Sequence, residues 1–217
     1  MDKVKKTRHQ IILINGKRRS GKGLLSNELK KKLTKKFDDN IHILSFAQPI
    51  KLITEPILDE IRWDKKDKEV VRPLWIAMGE VGRRIDPNIW CEKVFKRIKD
   101  IASQASKEGK NSLFIIDDLR FPNELEYFKS NLASLQKSVS ENDEAKVLSI
   151  RIEKFMDPTK FQQGVDDNST EISFDKIVNI CFDFIVPQDT LINREWMPIF
   201  ENVSVTADMI IQNFINK

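Results

Sequence analysis

Five short apolar runs divide the chain, at residues 11–15, 41–46, 112–117, 147–152 and 182–186. Within each run the apolar residues are continuous and do not alternate with polar ones. Strands of a parallel sheet show this pattern because helices cover both of their faces. The runs therefore predict five strands of a buried parallel sheet.

The segments between these runs carry helical patterns, at residues 22–36, 47–61, 68–79, 87–107 and 122–136. Alternation of strands with helices predicts a three-layer α/β/α fold. No internal repeat or composition boundary divides the chain, so we expect one domain over residues 1–217.

Two of the helical patterns have a clear apolar side. Leu25, Leu29 and Leu33 recur every four residues between lysines, which predicts an amphipathic helix. The last stretch, SVTADMIIQNFINK, predicts a closing helix with Met209, Ile210 and Phe214 on one side. By contrast, residues 137–146 predict an exposed polar connection, and residues 154–175 predict a long irregular loop of the kind that is often functional.

Composition narrows the class of protein. The 217 residues are 40% hydrophobic and 32% charged, which is typical of a globular protein. No run approaches eighteen apolar residues, so we expect no membrane-spanning helix. The net charge is +4, but the lysines at residues 30–36 flank the leucine stripe and fit a solvated helix face better than a nucleic-acid site.

The two cysteines bear on the compartment. Cys91 and Cys181 stand far apart and lack the spacing of a metal site. Two unpaired cysteines favour a reducing compartment, and we expect a cytoplasmic protein.

The segment GKRRSGKG carries the first candidate chemistry. It follows a predicted strand, opens a predicted helix and matches the phosphate-loop pattern G-x-x-x-x-G-K-[ST] up to its last position. Backbone N–H groups of such a loop and the helix N-terminus attract phosphate, and a lysine reaches the β- and γ-phosphates of ATP. The residues predicted to bind ATP are Gly16, Ser20, Gly21, Lys22, Gly23 and Leu24.

The last position of the pattern holds Gly23, which has no side-chain oxygen for magnesium. Magnesium on a nucleotide needs only one or two carboxylates besides phosphate oxygens and water. Asp117 and Asp118 end the third predicted strand, where a Walker-B carboxylate is expected. We predict Asp118 as the metal ligand, although paired aspartates after a strand are also typical of helix capping.

Phosphoryl transfer further requires cationic groups around both substrates. The chain offers several near its Gly and Pro breaks. The candidates are Lys17, Arg18, Arg19, Lys51, Arg72, Arg83, Arg84 and Arg120.

With these residues identified, the chain resembles small P-loop kinases of the nucleoside monophosphate kinase superfamily. Within that superfamily it is similar to phage-type deoxynucleoside monophosphate kinases and to the related animal-type phosphomevalonate kinases. Five segments carry the likeness in order: GKRRSGKG, SFAQPIK, VRPLWIAMGEVGRRIDPNIW, DDLRFPNELE and GVDDNSTE.

The resemblance implies a P-loop kinase fold with an acceptor-binding region at residues 47–90 and a lid-like segment at residues 153–175. It implies ATP and Mg²⁺ as cofactors and Lys22, Asp118 and Arg120 as catalytic residues. The substrate-binding residues that follow from it are Lys17, Arg18, Arg19, Lys51, Arg72, Arg83 and Trp90. The partners are small molecules, and the chain is expected to be a monomer or a homodimer.

Two departures from these families keep alternatives open. Their members usually carry Asp, Ser or Thr where this chain has Gly23, and many have arginines in the lid, whereas this chain has only Lys154, Lys160 and Lys176 between Ile152 and Asn193. We favour a nucleoside monophosphate as acceptor over phosphomevalonate. A non-catalytic nucleotide-binding module and a nucleic-acid-binding ATPase are the alternatives from other classes.

Overall fold

The computed structural model describes residues 6–37, 39–153, 163, 169–175, 182–187 and 199–216. Five strands form one parallel sheet: β1 (Arg8–Gly16), β2 (Ile41–Leu44), β3 (Ser112–Leu119), β4 (Glu144–Ile152) and β5 (Phe184–Val186). Their order across the sheet is β2-β3-β1-β4-β5, so β1 lies at the centre. The predicted strands and the predicted α/β class are confirmed.

Eight α-helices are present in the described residues: α1 (Lys22–Leu33), α2 (Ala47–Glu60), α3 (Lys68–Ile85), α4 (Ile89–Lys107), α5 (Pro122–Ser130), α6 (Leu132–Gln136), α7 (Ser169–Ile172) and α8 (Ile199–Ile210). A π-helical turn, Ile211–Ile215, follows α8. The segment 122–136, predicted as one helix, is two helices separated at Asn131. None of the helices in these described ranges is long and apolar enough to cross a membrane.

The central strand separates two apolar cores. Ile12 and Ile14 of β1 face the core that contains Leu25 and Leu29 of α1. Ile11 and Leu13 face the other core, which α4 and α5 complete. Both faces of β1 are therefore covered, which explains its continuous apolar run.

Two predictions about the outer segments were only partly correct. Met209 was expected on the packed side of the closing helix, but 47% of it is exposed while Ile210 is fully buried. The connection at residues 137–146 was expected to be exposed and polar, and residues 140–142 are exposed, but Asp143 is buried and β4 begins at Glu144. The carboxylate of Asp143 accepts hydrogen bonds from the Thr7 backbone N–H and the Ser106 hydroxyl, and these contacts hold the connection against β1 and α4.

Helix α3 runs through the glycines that were expected to end it near residue 79. A Cβ on Gly79 would lie 3.2 Å from Ile50 of α2, and a Cβ on Gly82 would lie 2.3 Å from the Trp90 ring of α4. The glycines therefore permit close helix packing and do not terminate the helix. This packing fixes α2, α3 and α4 beside the carboxyl edge of the sheet.

Candidate active site

The phosphate loop connects β1 to α1 at the carboxyl edge of the sheet. Gly21 adopts φ 89°, a left-handed conformation that suits glycine. A Cβ on Gly16 would lie 2.5 Å from the Ser20 hydroxyl oxygen and 3.1 Å from the Ile152 carbonyl oxygen. The first and second glycines of the motif are thus both required by the local geometry of a tight loop.

The loop fits the phosphates of ATP. Its turn leads directly into the N-terminus of α1, so backbone N–H groups converge where an anion is favoured. The Ser20 hydroxyl oxygen is buried without a hydrogen-bond partner in the described part of the chain. Gly23 has nothing within 4 Å of the position of a Cβ, so this side of the loop is open.

Lys22 is folded back onto the loop. Its Nζ donates to the carbonyl oxygens of Gly16 at 2.7 Å and of Lys17 at 2.9 Å. Burial, with a smaller contribution from Arg120, lowers the pKa of Lys22 to about 8. Glu171, Asp117 and Asp118 oppose this shift. A bound phosphate would favour the charged form and draw the ammonium group toward itself.

Asp118, the predicted metal ligand, also holds the start of α2. One carboxylate oxygen accepts from the Phe46 backbone N–H at 2.9 Å, and the other accepts from the Ser45 hydroxyl at 2.7 Å and the Ala47 N–H at 3.1 Å. Burial raises the pKa of Asp118, while these hydrogen bonds act in the opposite direction. The carboxylate therefore fixes the start of α2, and its role as a metal ligand stays a prediction.

Asp117 fits magnesium better. One of its oxygens accepts from the Ser26 hydroxyl of α1 at 3.0 Å, and the other accepts no hydrogen bond within the described ranges. Nowhere in those ranges do three or more His, Cys, Asp or Glu side chains form a metal cluster. A nucleotide-bound magnesium does not need one, and Asp117 with Ser26 would supply protein oxygens beside the loop. Magnesium, when bound, would neutralise phosphate charge.

A cavity of about 690 Å³ lies next to the loop, between α2, α3 and the start of α5. Five arginines line it: Arg18, Arg72, Arg83, Arg84 and Arg120. Its apolar wall comprises Phe46, Ala47, Ile50, Trp75, Ile76 and Phe121, with the backbone of Gly79. Four carboxylates complete the lining: Glu80, Asp118, Glu124 and Glu171. Its volume is typical of a small-molecule site.

Helix α3 supplies one wall of this cavity. Arg72, Trp75, Gly79 and Arg83 follow one another at intervals of three or four residues, so they share a helix face. The Arg83 guanidinium lies 4.7 Å from the centroid of the Phe121 ring. Arg72, in contrast, is exposed and pairs with Glu69 at 3.1 Å. Arg83 is therefore the more firmly held of the two predicted arginines.

The other predicted substrate-binding residues are placed differently. Lys51 is on the rim, with its Nζ 5.1 Å from the centroid of the Trp75 ring, and Arg19 is exposed with φ 60°. Lys17 pairs with Asp175 at 2.7 Å. Trp90 does not line the cavity: it is buried and its indole N–H donates to the Gly79 carbonyl oxygen at 3.0 Å. The structure thus makes Trp90 a packing residue of α3 and α4.

The sequence analysis did not identify several residues of the cavity lining. Trp75 lies in the segment VRPLWIAMGEVGRRIDPNIW, and its helical spacing from Arg72 and Arg83 could have indicated a shared helix face. Glu124 caps α5: its carboxylate accepts from the backbone N–H groups of Arg120 at 2.7 Å and Phe121 at 3.0 Å. Burial raises the pKa of Glu124 to about 8. The Phe-Pro-Asn-Glu order was a capping signal for this residue.

Part of the predicted lid is described. Residue 153, residue 163 and residues 169–175 are placed, whereas Lys154, Lys160 and Lys176 lie outside the described residues, as does Cys181. In the placed part, Glu171 and Asp175 contact the phosphate loop.

A profile of the phosphomevalonate kinase family matches residues 14–134, which is more than half of the 217 residues. The chain belongs to this family. The match begins in β1, includes the phosphate loop and the arginines of α3, and ends in α6. The chain is therefore a kinase, and the family supports small-molecule substrates and ATP use.

Three solved structures to which the chain is similar are described as kinases. A fungal RNA kinase is 12% identical, with a TM-score of 0.46, covering 98% of this chain and 89% of that one. A thymidylate kinase from Ehrlichia chaffeensis is 16% identical, with a TM-score of 0.47, covering 94% and 99%. A kinase described as putative from Chloroflexus aurantiacus is 15% identical, with a TM-score of 0.32, covering 69% and 60%.

Proposed function

We propose that the protein transfers the γ-phosphoryl group of ATP to the phosphate of a nucleoside monophosphate, giving a nucleoside diphosphate and ADP. The observation that supports this acceptor is the composition of the 690 Å³ cavity, in which arginines and aromatic rings line the same space beside the phosphate loop. A deoxynucleoside monophosphate is the form that we favour, on the resemblance to the phage-type enzymes.

The protein needs to contribute little covalent chemistry to this reaction. An oxygen of the acceptor phosphate attacks the γ-phosphorus, the bond from that phosphorus to the β,γ-bridging oxygen breaks, and ADP leaves with the electron pair. The attacking oxygen is already ionised near neutral pH, so no strong general base is needed. Positioning and charge stabilisation are what remains.

The residues are arranged for those two tasks. Lys22 lies within the loop that would hold the β- and γ-phosphates. Arg18 and Arg120 line the cavity on the side of the phosphate loop. The two substrates would meet there. Arg83 lies deeper, on the Phe121 ring, and would bind the acceptor phosphate. The lid-like segment and the acceptor region would exclude water from the transfer.

The aromatic wall favours a base. Trp75 and Phe121 offer ring surface for a planar base, and such stacking adds about 0.5–1.5 kcal/mol per aromatic pair. Phosphomevalonate has no ring, and it carries a carboxylate at the end opposite its phosphate. Glu80 in the lining would repel that second anionic group.

Phosphomevalonate is the second candidate, and the family match over residues 14–134 favours it. The five arginines of the cavity would also suit an acceptor with two anionic ends. The two candidates share ATP, the loop and the transfer step and differ only in the cavity.

A coupled assay of ADP release separates them. The panel contains the deoxyribonucleoside and ribonucleoside monophosphates and phosphomevalonate, each with ATP and Mg²⁺. We expect turnover with nucleotides and loss of turnover in Lys22→Ala. Turnover with phosphomevalonate alone would establish the second candidate. ATP binding in calorimetry without ADP release for any acceptor would instead support a non-catalytic nucleotide-binding module.

A further inference from the structure

Glu171 joins two parts of the site that are far apart in sequence. Its Oε2 accepts from the Arg18 backbone N–H of the phosphate loop at 2.6 Å, and its Oε1 accepts from Nη1 of Arg120 at 2.7 Å. Only 7% of the Glu171 side chain is exposed, compared with 27% for Arg120. One carboxylate therefore bridges the ATP side and the acceptor side of the site.

Arg120 is held at two further points. The Glu124 carboxylate accepts from its backbone N–H at 2.7 Å, and the Ser173 hydroxyl donates to its backbone carbonyl oxygen. Main chain and guanidinium are thus both fixed. A guanidinium has five N–H donors, and Glu171 engages one of its nitrogens, so further donors remain for a phosphate in the cavity that Arg120 lines.

We propose that Glu171 is a positioning residue that fixes Arg120 against the phosphate loop, so that Arg120 meets the phosphoryl group as it passes between the two substrates. The turnover readout of this inference rests on the proposed function. A charge-assisted contact of this kind lowers the cost of ordering the arginine at the moment of reaction.

A separate contact, made by Asp175, anchors the segment that contains Glu171 to the phosphate loop. Asp175 accepts from Nζ of Lys17 at 2.7 Å and pairs with Arg151 of β4 at 3.2 Å. Arg151 in turn donates to the Asn15 side chain of β1. Asp175 contacts the loop but not Arg120. An Asp175 variant therefore tests the loss of a contact with the loop alone and is the matched control for the Glu171 variants.

The test compares Glu171→Gln, Glu171→Ala and Asp175→Asn in two measurements. We expect both Glu171 variants to lose kcat by about 10–100-fold, the range known for residues that orient a functional group, with KM for ATP changed less than about threefold at pH 7. Asp175→Asn should keep kcat within about threefold. Glu171→Gln keeps the shape of the side chain and guards against misfolding of the alanine variant, and thermal melting checks both.

The second measurement needs no turnover. Phenylglyoxal modifies accessible arginines, and mass spectrometry of the peptide that contains Arg120 gives its rate. We expect faster modification of Arg120 in both Glu171 variants than in the wild type or Asp175→Asn.

Unchanged modification of Arg120 in the Glu171 variants would overturn the inference, and so would an equal loss of kcat in Asp175→Asn. If the wild type turned over no acceptor in the panel, the proposed function would fail while the modification rates still decided the role of Glu171.

Discussion

The phosphate loop and the acceptor cavity meet at one edge of the sheet but are built differently. The loop is one continuous segment, residues 16–23, in which backbone N–H groups and Lys22 would bind the phosphates of ATP. The cavity is assembled by side chains from α2, α3, α5, the end of β3 and the segment of Glu171. The loop therefore depends on local conformation, whereas the cavity depends on how helices pack.

This difference predicts different responses to mutation. A change to Lys22, whose ammonium group hydrogen-bonds to loop carbonyls and does not pack in a core, should remove chemistry and leave the fold intact. A change in helix packing around the cavity should alter stability and acceptor binding together. Four experiments test the comparison.

The largest effect is expected for Lys22→Ala. Among the residues that the structure describes, its ammonium group donates only to loop carbonyls, so the variant should fold normally. Loss of one charge-stabilising donor costs about 10²–10³-fold in kcat, measured by coupled ADP release. Lys32→Ala, on the same helix but paired with Asp208 at 2.8 Å, is the control and should retain activity. Equal losses in the two variants would contradict a specific role for Lys22.

Arg83→Ala tests the cavity. Arg83 lies on Phe121 in the lining, so its loss should raise KM for the acceptor by about 10–100-fold, the value of one or two charge-assisted hydrogen bonds. KM for ATP should change little. Arg72→Ala is the comparison: Arg72 is exposed and already paired with Glu69, so about fivefold is the most we expect. A larger effect at Arg72 than at Arg83 would mean that the acceptor phosphate binds near the cavity mouth.

Two glycine-to-alanine changes contrast the regions directly in thermal unfolding. At Gly82 the new Cβ would lie 2.3 Å from the Trp90 ring, so overpacking should lower the free energy of unfolding by about 1–3 kcal/mol. At Gly23 nothing lies within 4 Å, and alanine in the first turn of α1 should be neutral or stabilising by at most about 1 kcal/mol. Destabilisation of similar size at both positions would contradict the packing role of Gly82.

The smallest effect is a pH dependence of ATP binding. The pKa of Lys22 is lowered to about 8, and bound phosphate should raise it because phosphate favours the charged lysine. Affinity should then be constant below pH 8 and fall above it by up to about tenfold per pH unit. Calorimetry from pH 7 to 9.5 measures this. Lys22→Arg stays charged throughout the range and should show no such decrease.

The sequence by itself determined the sheet and the loop. The five apolar runs became the five strands, since burial on both faces requires a continuous apolar run. The phosphate loop could be predicted because glycines and a lysine at fixed spacing act through local backbone geometry. The family match over residues 14–134 spans four of the five segments from which kinase chemistry was inferred, all except GVDDNSTE.

Only the tertiary structure decided how the site is assembled. Asp117 and Asp118 are neighbours in sequence, but alternating side-chain directions along β3 place the first against Ser26 and the second on the start of α2. Trp90 looked like a binding residue, yet Gly79 and Gly82 admit it between two helices. Glu171 meets Arg120 across fifty-one positions of the chain. Contacts between residues so far apart in sequence depend on strand order and helix packing, so the spacing of residues along the chain does not predict them.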